Sequence, residues 1–244
     1  GCIALGEQNV YNRKAVNYIT VDVFNSDVNM NFKKKEKLPF EDNSIKIIYS
    51  AHMIEHLDME SLDFLISECY RVIDKKEGVI RLQAPDAELL INAYNSNEHT
   101  ILDFWAKQYK DLLVDDLGFP SIYGERHVAF IGALSCYMIK GLNCHIPVVA
   151  AKEEVETNLH KMTLEEFADW TVSLQTDVQK STFGHITPIY FDKMNLLLTR
   201  CGFPNLHKCN PQESEITDIK KLEWLGERTE FSLFIESRMK DKNE

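Results

Sequence analysis

A glycine and an acidic residue near the start of the chain are spaced as in nucleotide-binding proteins. Gly6 follows an apolar run at residues 2–5, and Asp22 lies near the end of a β-branched and aromatic run at residues 17–23. In doubly wound folds such a glycine lets the backbone approach the ligand, and an acid about 20 residues later accepts hydrogen bonds from the ribose hydroxyls. The pair therefore indicates a nucleotide site, although a plain turn and a surface acid would give the same two residues.

Short strands alternate with helical segments through the first part of the chain and would position these groups. Apolar or β-branched runs predict strands at residues 2–5, 17–23, 45–50 and 79–84. Apolar residues at helical spacing predict a helix over 59–73. This order predicts an α/β fold with an open, mostly parallel sheet and helices on both faces. Asp86 follows the last of these strands, where it would either contact a substrate or cap the next helix.

The middle of the chain departs from this pattern. Aromatic and acidic helical segments dominate from about residue 86 to 185, and Thr163 with Glu166 predicts a capping box. An amphipathic helix over 190–200 and two strands near 205–209 and 231–237 then close the sheet. We therefore predict three parts, which are a cofactor-binding α/β part (1–95), a helical insertion that caps the acceptor (96–185) and the closing elements of the same sheet (186–244).

Composition and charge narrow the class of partner. The 244 residues carry 27 Lys and Arg against 38 Asp and Glu, a net charge of −11, which disfavours nucleic acid. No apolar stretch approaches the roughly 20 residues of a membrane span, and the start shows no signal-peptide pattern. The six cysteines form no C-x-x-C pair and the eight histidines no ligand cluster. We expect a cytoplasmic protein that needs neither a metal nor a membrane.

Several motifs in order carry a family resemblance. LPFEDNS at residues 38–44 leads into a strand that is followed by SAHMIEHL at residues 50–57. ECYRVI at 68–73, with GVIR at 78–81, and RCGF at 200–203 follow at the expected places. Together they resemble class I S-adenosylmethionine-dependent methyltransferases of the small-molecule, type 11-like branch. The resemblance covers residues 1–86 and 185–237, and it implies a seven-stranded Rossmann-like sheet.

The resemblance also implies where the cofactor, S-adenosylmethionine, and its product S-adenosylhomocysteine would bind. Gly6 would face the methionine end, Asp22 the ribose and Asn31 the adenine, with the strand end at Ser50 lining the cleft beside the sulfonium. The full cofactor-binding set expected is Gly6, Gln8, Asp22, Val23, Asn31, Ser50, Ala51 and His52. One departure stands out, because Gln8 replaces a glycine that normally makes room for the cofactor.

A hydroxyl acceptor would need a general base, and histidine suits neutral pH. The first candidate for that base is His185, where the family often places a histidine near the acceptor, followed by His52 and His127. Asp86 and Tyr123 are the candidate substrate contacts. Each has an alternative structural role, since Asp86 could cap a helix and Tyr123 could belong to the core of the insertion.

Three functions stay open at this point. The favoured one is methyl transfer to a small molecule, such as a sugar or a surface-glycan precursor, with the insertion setting acceptor specificity and a homodimer left open. The second is a non-catalytic partner or cofactor sensor, marked by the degenerate run Gly6-Glu7-Gln8. A nucleotide-dependent oxidoreductase is disfavoured, because the chain lacks G-x-G-x-x-G.

Overall fold

A computed structural model describes residues 2–5 (backbone only), 18–23, 25–96, 100–142, 144–214, 216–223 and 229–239. Its strands are β1 Cys2–Leu5, β2 Ile19–Asp22, β3 Val28–Asn29, β4 Ile47–Ala51, β5 Val79–Pro85, β6 Cys136–Met138, β7 His145–Pro147, β8 His207–Cys209 and β9 Ser232–Arg238. Its α-helices are α1 Met59–Val72, α2 Ala87–Asn95, α3 Thr100–Tyr109, α4 Arg126–Leu134, α5 Lys152–Lys161, α6 Leu164–Ser173, α7 Asp177–Lys180, α8 Phe191–Cys201 and α9 Thr217–Leu222.

The chain divides into two compact units. Unit 1 comprises residues 1–84 and 189–244, and unit 2 comprises residues 85–188. Helix α2 packs against α3, α4 and α6, all of which belong to unit 2. In the described part of the chain, no helix has both the length and the apolar character that a bilayer crossing requires.

Seven strands form one sheet in the order β3-β2-β1-β4-β5-β9-β8. Pairing is parallel from β3 to β5, whereas β8 and β9 pair antiparallel. Arg81 of β5 faces Glu236 of β9, and Gln83 faces Ser232, so β9 also runs against β5. The predicted α/β class is therefore confirmed, with a mixed sheet. The strand order reverses between β1 and β4, and ligands bind beyond the carboxyl ends of strands at such a switch point.

Apolar side chains of β4 and β5 bury α1 and α8 in one core. Ile48 and Ile80 meet Leu62 and Ile66 of α1 and Leu198 of α8, and all five are at most 1% exposed. The spacing of Leu62 and Ile66 puts both on the buried face of α1. The side chain of Asp58 caps this helix through the backbone N–H of Ser61. The helices predicted over 59–73 and 190–200 are thus confirmed.

Unit 2 is helical, as predicted, but it also contains a two-stranded antiparallel sheet of β6 and β7. Thr163 and Glu166 form the predicted capping box at the start of α6. A π-helical segment at Lys110–Asp116 continues α3. No sequence pattern predicted the small sheet, because its three-residue strands are too short to show alternation.

Candidate active site

The carboxyl ends of four strands in unit 1 meet along one edge of the sheet. Leu5 pairs with both Val21 and Ser50, and Ala51 pairs with Gln83. This register brings the ends of β1, β2, β4 and β5 level with one another on either side of the switch point. The sequence-predicted residues Asp22, Val23, Ser50, Ala51 and His52 therefore lie along this edge.

Asp22 ends β2 at the head of a tight loop. Its Oδ1 accepts a hydrogen bond from the N–H of Val23 at 2.5 Å, and its backbone carbonyl accepts one from Met30 at 2.8 Å. The hydroxyl of Ser26 donates to the carbonyls of Asp22 and Val28 at 3.1 and 2.8 Å. These bonds fix the loop and hold the partly exposed carboxylate at the edge, where it can accept from a ribose diol.

Asn31 follows β3 and caps the short 3₁₀ turn at Phe32–Lys34. Its Oδ1 accepts a hydrogen bond from the N–H of Lys33 at 3.1 Å. The loop from β2 to β3 brings Asn31 close to Asp22 in the fold, since Met30 binds the Asp22 carbonyl. The side-chain oxygen that was expected to read an adenine thus serves as a helix cap, and a cofactor contact by Asn31 would use its amide N–H.

The buried hydroxyl of Ser50 indicates whether this edge fits a polar ligand. Its side chain is fully buried at the end of β4, and no hydrogen-bond partner for its Oγ occurs among the residues that the structure describes. A buried hydroxyl without a partner costs about 1–3 kcal/mol. Together with the carboxylate of Asp22, this hydroxyl fits a cofactor that carries ribose hydroxyls and a polar amino-acid end. Ala51 beside it is 6% exposed and adds no bulk to the edge.

His52 directly follows β4 in a left-handed conformation, with φ 48°. Histidine is among the residues that tolerate this region, and the bond from the His52 N–H to the Gln83 carbonyl at 2.8 Å stabilises it. The imidazole is 4% exposed. Its Nε2 lies 3.0 Å from the Ser232 hydroxyl, and its Nδ1 lies 3.4 Å from the Glu55 carboxylate. The ring is therefore held in one orientation between a hydroxyl and an acid.

Sequence reasoning missed the residues that surround His52. Glu55 is 2% exposed, within a 3₁₀ turn at Ile54–His56, and it also lies 3.9 Å from His56. Gln83 and Ser232 carry no motif, and Ser232 lies 180 positions from His52. The one sequence signal for this cluster was the position of Glu55, three residues after His52.

The two candidate substrate contacts lie in unit 2 and have structural roles there. Asp86 is fully buried, and its Oδ1 accepts from the N–H groups of Glu88 and Leu89 at 3.1 and 3.3 Å, so it caps α2. Tyr123 packs edge-on against Phe119 at 5.3 Å. Burial, with a smaller effect from Tyr137, raises the pKa of Tyr123 to about 12, so its phenol stays protonated.

Two candidate bases also belong to unit 2. Burial lowers the pKa of His127, and its Nε2 has no hydrogen-bond partner within the described ranges. The Nδ1 of His185 lies 2.9 Å from the carbonyl of Ala133, and its ring centroid lies 5.2 Å from that of His145. Since a carbonyl only accepts, His185 carries its proton on Nδ1 and presents a basic Nε2. Gly6 and Gln8 lie outside the described residues.

A comparison with protein-family models identifies the first part of the chain. Residues 8–82 match the family described as methyltransferase domain. This segment spans β2 to most of β5, including Asp22, Ser50, Ala51 and His52. None of the curated proteins compared with this sequence matches it.

Solved structures of methyltransferases show a weak likeness. A SAM-dependent methyltransferase from Archaeoglobus fulgidus is 13% identical, with a TM-score of 0.43, over 97% of this chain and 85% of that one. An S-adenosylmethionine-dependent methyltransferase from Mesorhizobium loti is 11% identical, with a TM-score of 0.44, over 97% and 89%.

The sheet edge at the switch point and the family match concern the same part of the chain, because residues 8–82 include the ends of β2 and β4. What this part of the chain matches is a methyltransferase domain. The match of residues 8–82 to a methyltransferase domain of the type 11 branch supports the resemblance, the enzyme class and the cofactor expected from the motifs.

Proposed function

We propose that this protein transfers the methyl group of S-adenosylmethionine to a hydroxyl of a small molecule. A sugar or a precursor of a surface glycan is the acceptor class we favour, in the cytoplasm. The net charge of −11 supports a small acceptor over a nucleic acid, since an acidic surface repels a phosphate backbone. A homodimer is compatible with this proposal.

The observation that carries the choice of oxygen is the position and setting of His52. Methylation of a hydroxyl requires a base for its proton, and a positioned imidazole supplies a factor of about 10²–10⁴ in rate. His52 belongs to the same unit and the same sheet edge as Asp22 and Ser50. Its Nδ1 faces the carboxylate of Glu55 at 3.4 Å, which would stabilise the imidazolium that forms. We therefore place His52 ahead of His127 and His185 as the base.

The chain's own residues would hold the cofactor in the following way. Asp22 accepts hydrogen bonds from the ribose hydroxyls, and Ser50 binds the polar amino-acid end. Asn31 donates from its amide, while Val23 and Ala51 line the edge, as Gly6 and Gln8 would. The cofactor supplies a methyl group activated on a sulfonium, which leaves a neutral thioether after transfer to the acceptor oxygen.

Calorimetric titration with S-adenosylmethionine and S-adenosylhomocysteine tests the cofactor site. Asp22→Asn removes the charge from the ribose contact, and loss of hydrogen bonds to a charged group costs about 1.5–3 kcal/mol. The Kd should then rise by about 10- to 150-fold. Asp111→Asn is the matched control, because that carboxylate pairs with Lys107 on the surface of unit 2. A folded wild-type protein that binds neither compound would contradict the proposal and favour a cofactor-independent partner protein.

Transfer of labelled methyl groups to a panel of acceptors tests the choice of oxygen and of the base. His52→Asn keeps a side chain that tolerates the left-handed backbone, and it should lower kcat by about 10²–10⁴ while cofactor binding persists. His207→Asn, an exposed position on β8, should leave kcat unchanged. If His185→Asn or His127→Asn abolishes turnover and His52→Asn does not, the base has been misassigned. Amine acceptors that outperform hydroxyl acceptors would contradict transfer to oxygen.

A further inference from the structure

Five side chains of unit 1 form a continuous polar chain at the edge where β4 and β5 end. The hydroxyl of Tyr49 lies 2.8 Å from Oε1 of Gln83, and Nε2 of Gln83 lies 3.5 Å from Oγ of Ser232. Oγ of Ser232 lies 3.0 Å from Nε2 of His52, whose Nδ1 lies 3.4 Å from Oε1 of Glu55. The contacts join residues from β4, β5, β9 and the turn after β4.

The chemistry of the first link fixes the direction of the second. Tyr49 donates to the amide oxygen of Gln83, so the amide nitrogen faces Ser232 and donates to its oxygen. Ser232 accepts there and can give its own proton to Nε2 of His52. The ring proton of His52 then lies on Nδ1, toward the carboxylate of Glu55. With the Ser232 proton placed toward His52, every donor points toward Glu55, and His52 presents a basic nitrogen to Ser232.

Exposure distinguishes one member of this chain from the others. Tyr49, His52, Glu55 and Gln83 are at most 4% exposed, whereas Ser232 is partly exposed. Of these five groups, Ser232 is thus the one that an acceptor can reach most readily. Phe231, which is 4% exposed, places its ring 6.4 Å from that of His52 and shields the imidazole.

A purely structural role would not call for these particular residues. Apolar residues that fill the same space are often as stable as a buried ionic group, or more so, because the charges must be desolvated. A histidine between a hydroxyl and a carboxylate is the arrangement that polarises a hydroxyl in nucleophilic and acid–base sites. The network therefore suits the movement of a proton better than it suits packing.

We propose that Ser232, His52 and Glu55 form a proton relay in which the Ser232 hydroxyl contacts the acceptor, with Gln83 and Tyr49 as positioning residues. This inference rests on the proposed methyl transfer to oxygen. The acceptor proton passes to Oγ of Ser232 as the Ser232 proton passes to Nε2 of His52. The C–S bond to the methyl group breaks as the C–O bond forms. His52 ends as imidazolium beside the Glu55 carboxylate and later returns the proton to water through Ser232.

The tautomer of His52 tests the relay without cofactor or acceptor. Long-range ¹H–¹⁵N correlation of the full-length wild-type protein should show His52 protonated on Nδ1 and bare on Nε2, with His52→Asn used to assign the signals. A His52 that carries its proton on Nε2 would donate to Ser232 and could not accept from it. That result would overturn the relay whatever the enzyme methylates.

Turnover of Ser232 variants is the second test. Ser232→Ala should lower kcat by at least tenfold with little change in the KM for S-adenosylmethionine, because the acceptor loses its proton path. Ser232→Thr keeps the hydroxyl at the start of a strand and should restore most of kcat. Ser67→Ala, on the exposed face of α1, is the control and should match the wild type.

The outcomes separate the relay from the proposed function. Unchanged turnover in Ser232→Ala, or equal loss in the Ala and Thr variants, would overturn the relay while methyl transfer stands. A wild-type protein that binds no S-adenosylmethionine would overturn the methyl transfer and the relay together. Glu55→Gln should lower kcat as well, and a protonated Nε2 in that variant would confirm that the carboxylate sets the tautomer.

Discussion

The stability of the sheet should depend on one buried arginine in β5. Arg81 is fully buried. Its Nε and Nη2 atoms lie 3.0 and 2.5 Å from Oε1 of Glu223. Its Nη1 atom lies 3.5 Å from Oε2 of Glu236. Its Nη2 also donates to the carbonyl of Asn210 at 2.9 Å. The guanidinium thus ties β5 to β9 and to the residue that ends α9.

Arg81→Met replaces this cation with an apolar side chain of similar length and leaves Glu223 buried without its partner charge. Removing one partner of a buried ion pair costs about 3–5 kcal/mol. The lower end applies here, because Glu223 keeps a hydrogen bond from Gln212 Nε2 at 3.1 Å and Glu236 keeps Arg238 at 2.8 Å. A loss of about 3 kcal/mol lowers Tm by about 6–12 °C in a chain of this size.

Urea unfolding followed by circular dichroism measures this loss of stability and compares it with that of two further variants. Lys46→Met breaks the exposed pair with Glu77, in which both side chains are more than half exposed, and should cost less than about 1 kcal/mol. The double variant Arg81→Met/Glu223→Gln removes both charges and should be more stable than Arg81→Met alone. An Arg81→Met variant within about 1 kcal/mol of the wild type, or a double variant no more stable than Arg81→Met, would contradict a stabilising role of the buried pair.

Two further predictions concern stability in unit 1. Burial alone would raise the pKa of Glu68, but hydrogen bonds from Arg71 hold that pKa below its ordinary value of 4.5. Glu68 therefore stabilises the fold at neutral pH, and the stability gap between wild type and Glu68→Gln should close as pH falls below about 4.5; a gap that widens in acid would contradict this. Gly202 ends α8 at φ 104°, and a Cβ there would lie 2.6 Å from Cζ of Tyr70. Gly202→Ala should lower the stability by more than the roughly 1–2 kcal/mol of left-handed strain. The control is Gly118→Ala, where φ is 73° and no atom lies within 4 Å of the added Cβ, and it should lower the stability less. Equal losses of stability for the two variants in thermal melts would contradict the clash.

Most elements of the fold were predictable from local patterns. The apolar spacing of α1, the capping box at Thr163 and the glycine stop at Gly202 all depend on neighbours within a few positions of the chain. The structure confirms each of them. The motif at residues 38–57 likewise identified the methyltransferase domain that the family match supports. The small sheet of β6 and β7 escaped prediction, since its strands depend on pairing with each other and not on their own composition.

The same difference between local patterns and distant contacts applies to the candidate site. The placement of Asp22, Ser50 and His52 near strand ends was predictable, because each lies at or beside the end of a strand whose pattern is visible in the sequence. Asn31 and Asp86 were visible too, but the structure shows that their side chains cap helices.

The partners of the predicted residues depend on distant parts of the chain. The sequence by itself determined which strands end in polar residues, because side-chain periodicity and turn residues act locally, and its motifs carried the resemblance that implies the cofactor. Only the tertiary structure decided that Ser232 meets His52 across 180 positions and that Glu223 meets Arg81 across 142. Those contacts follow from the order of strands in the sheet, which brings β9 beside β5, and strand order is set by burial of the whole core.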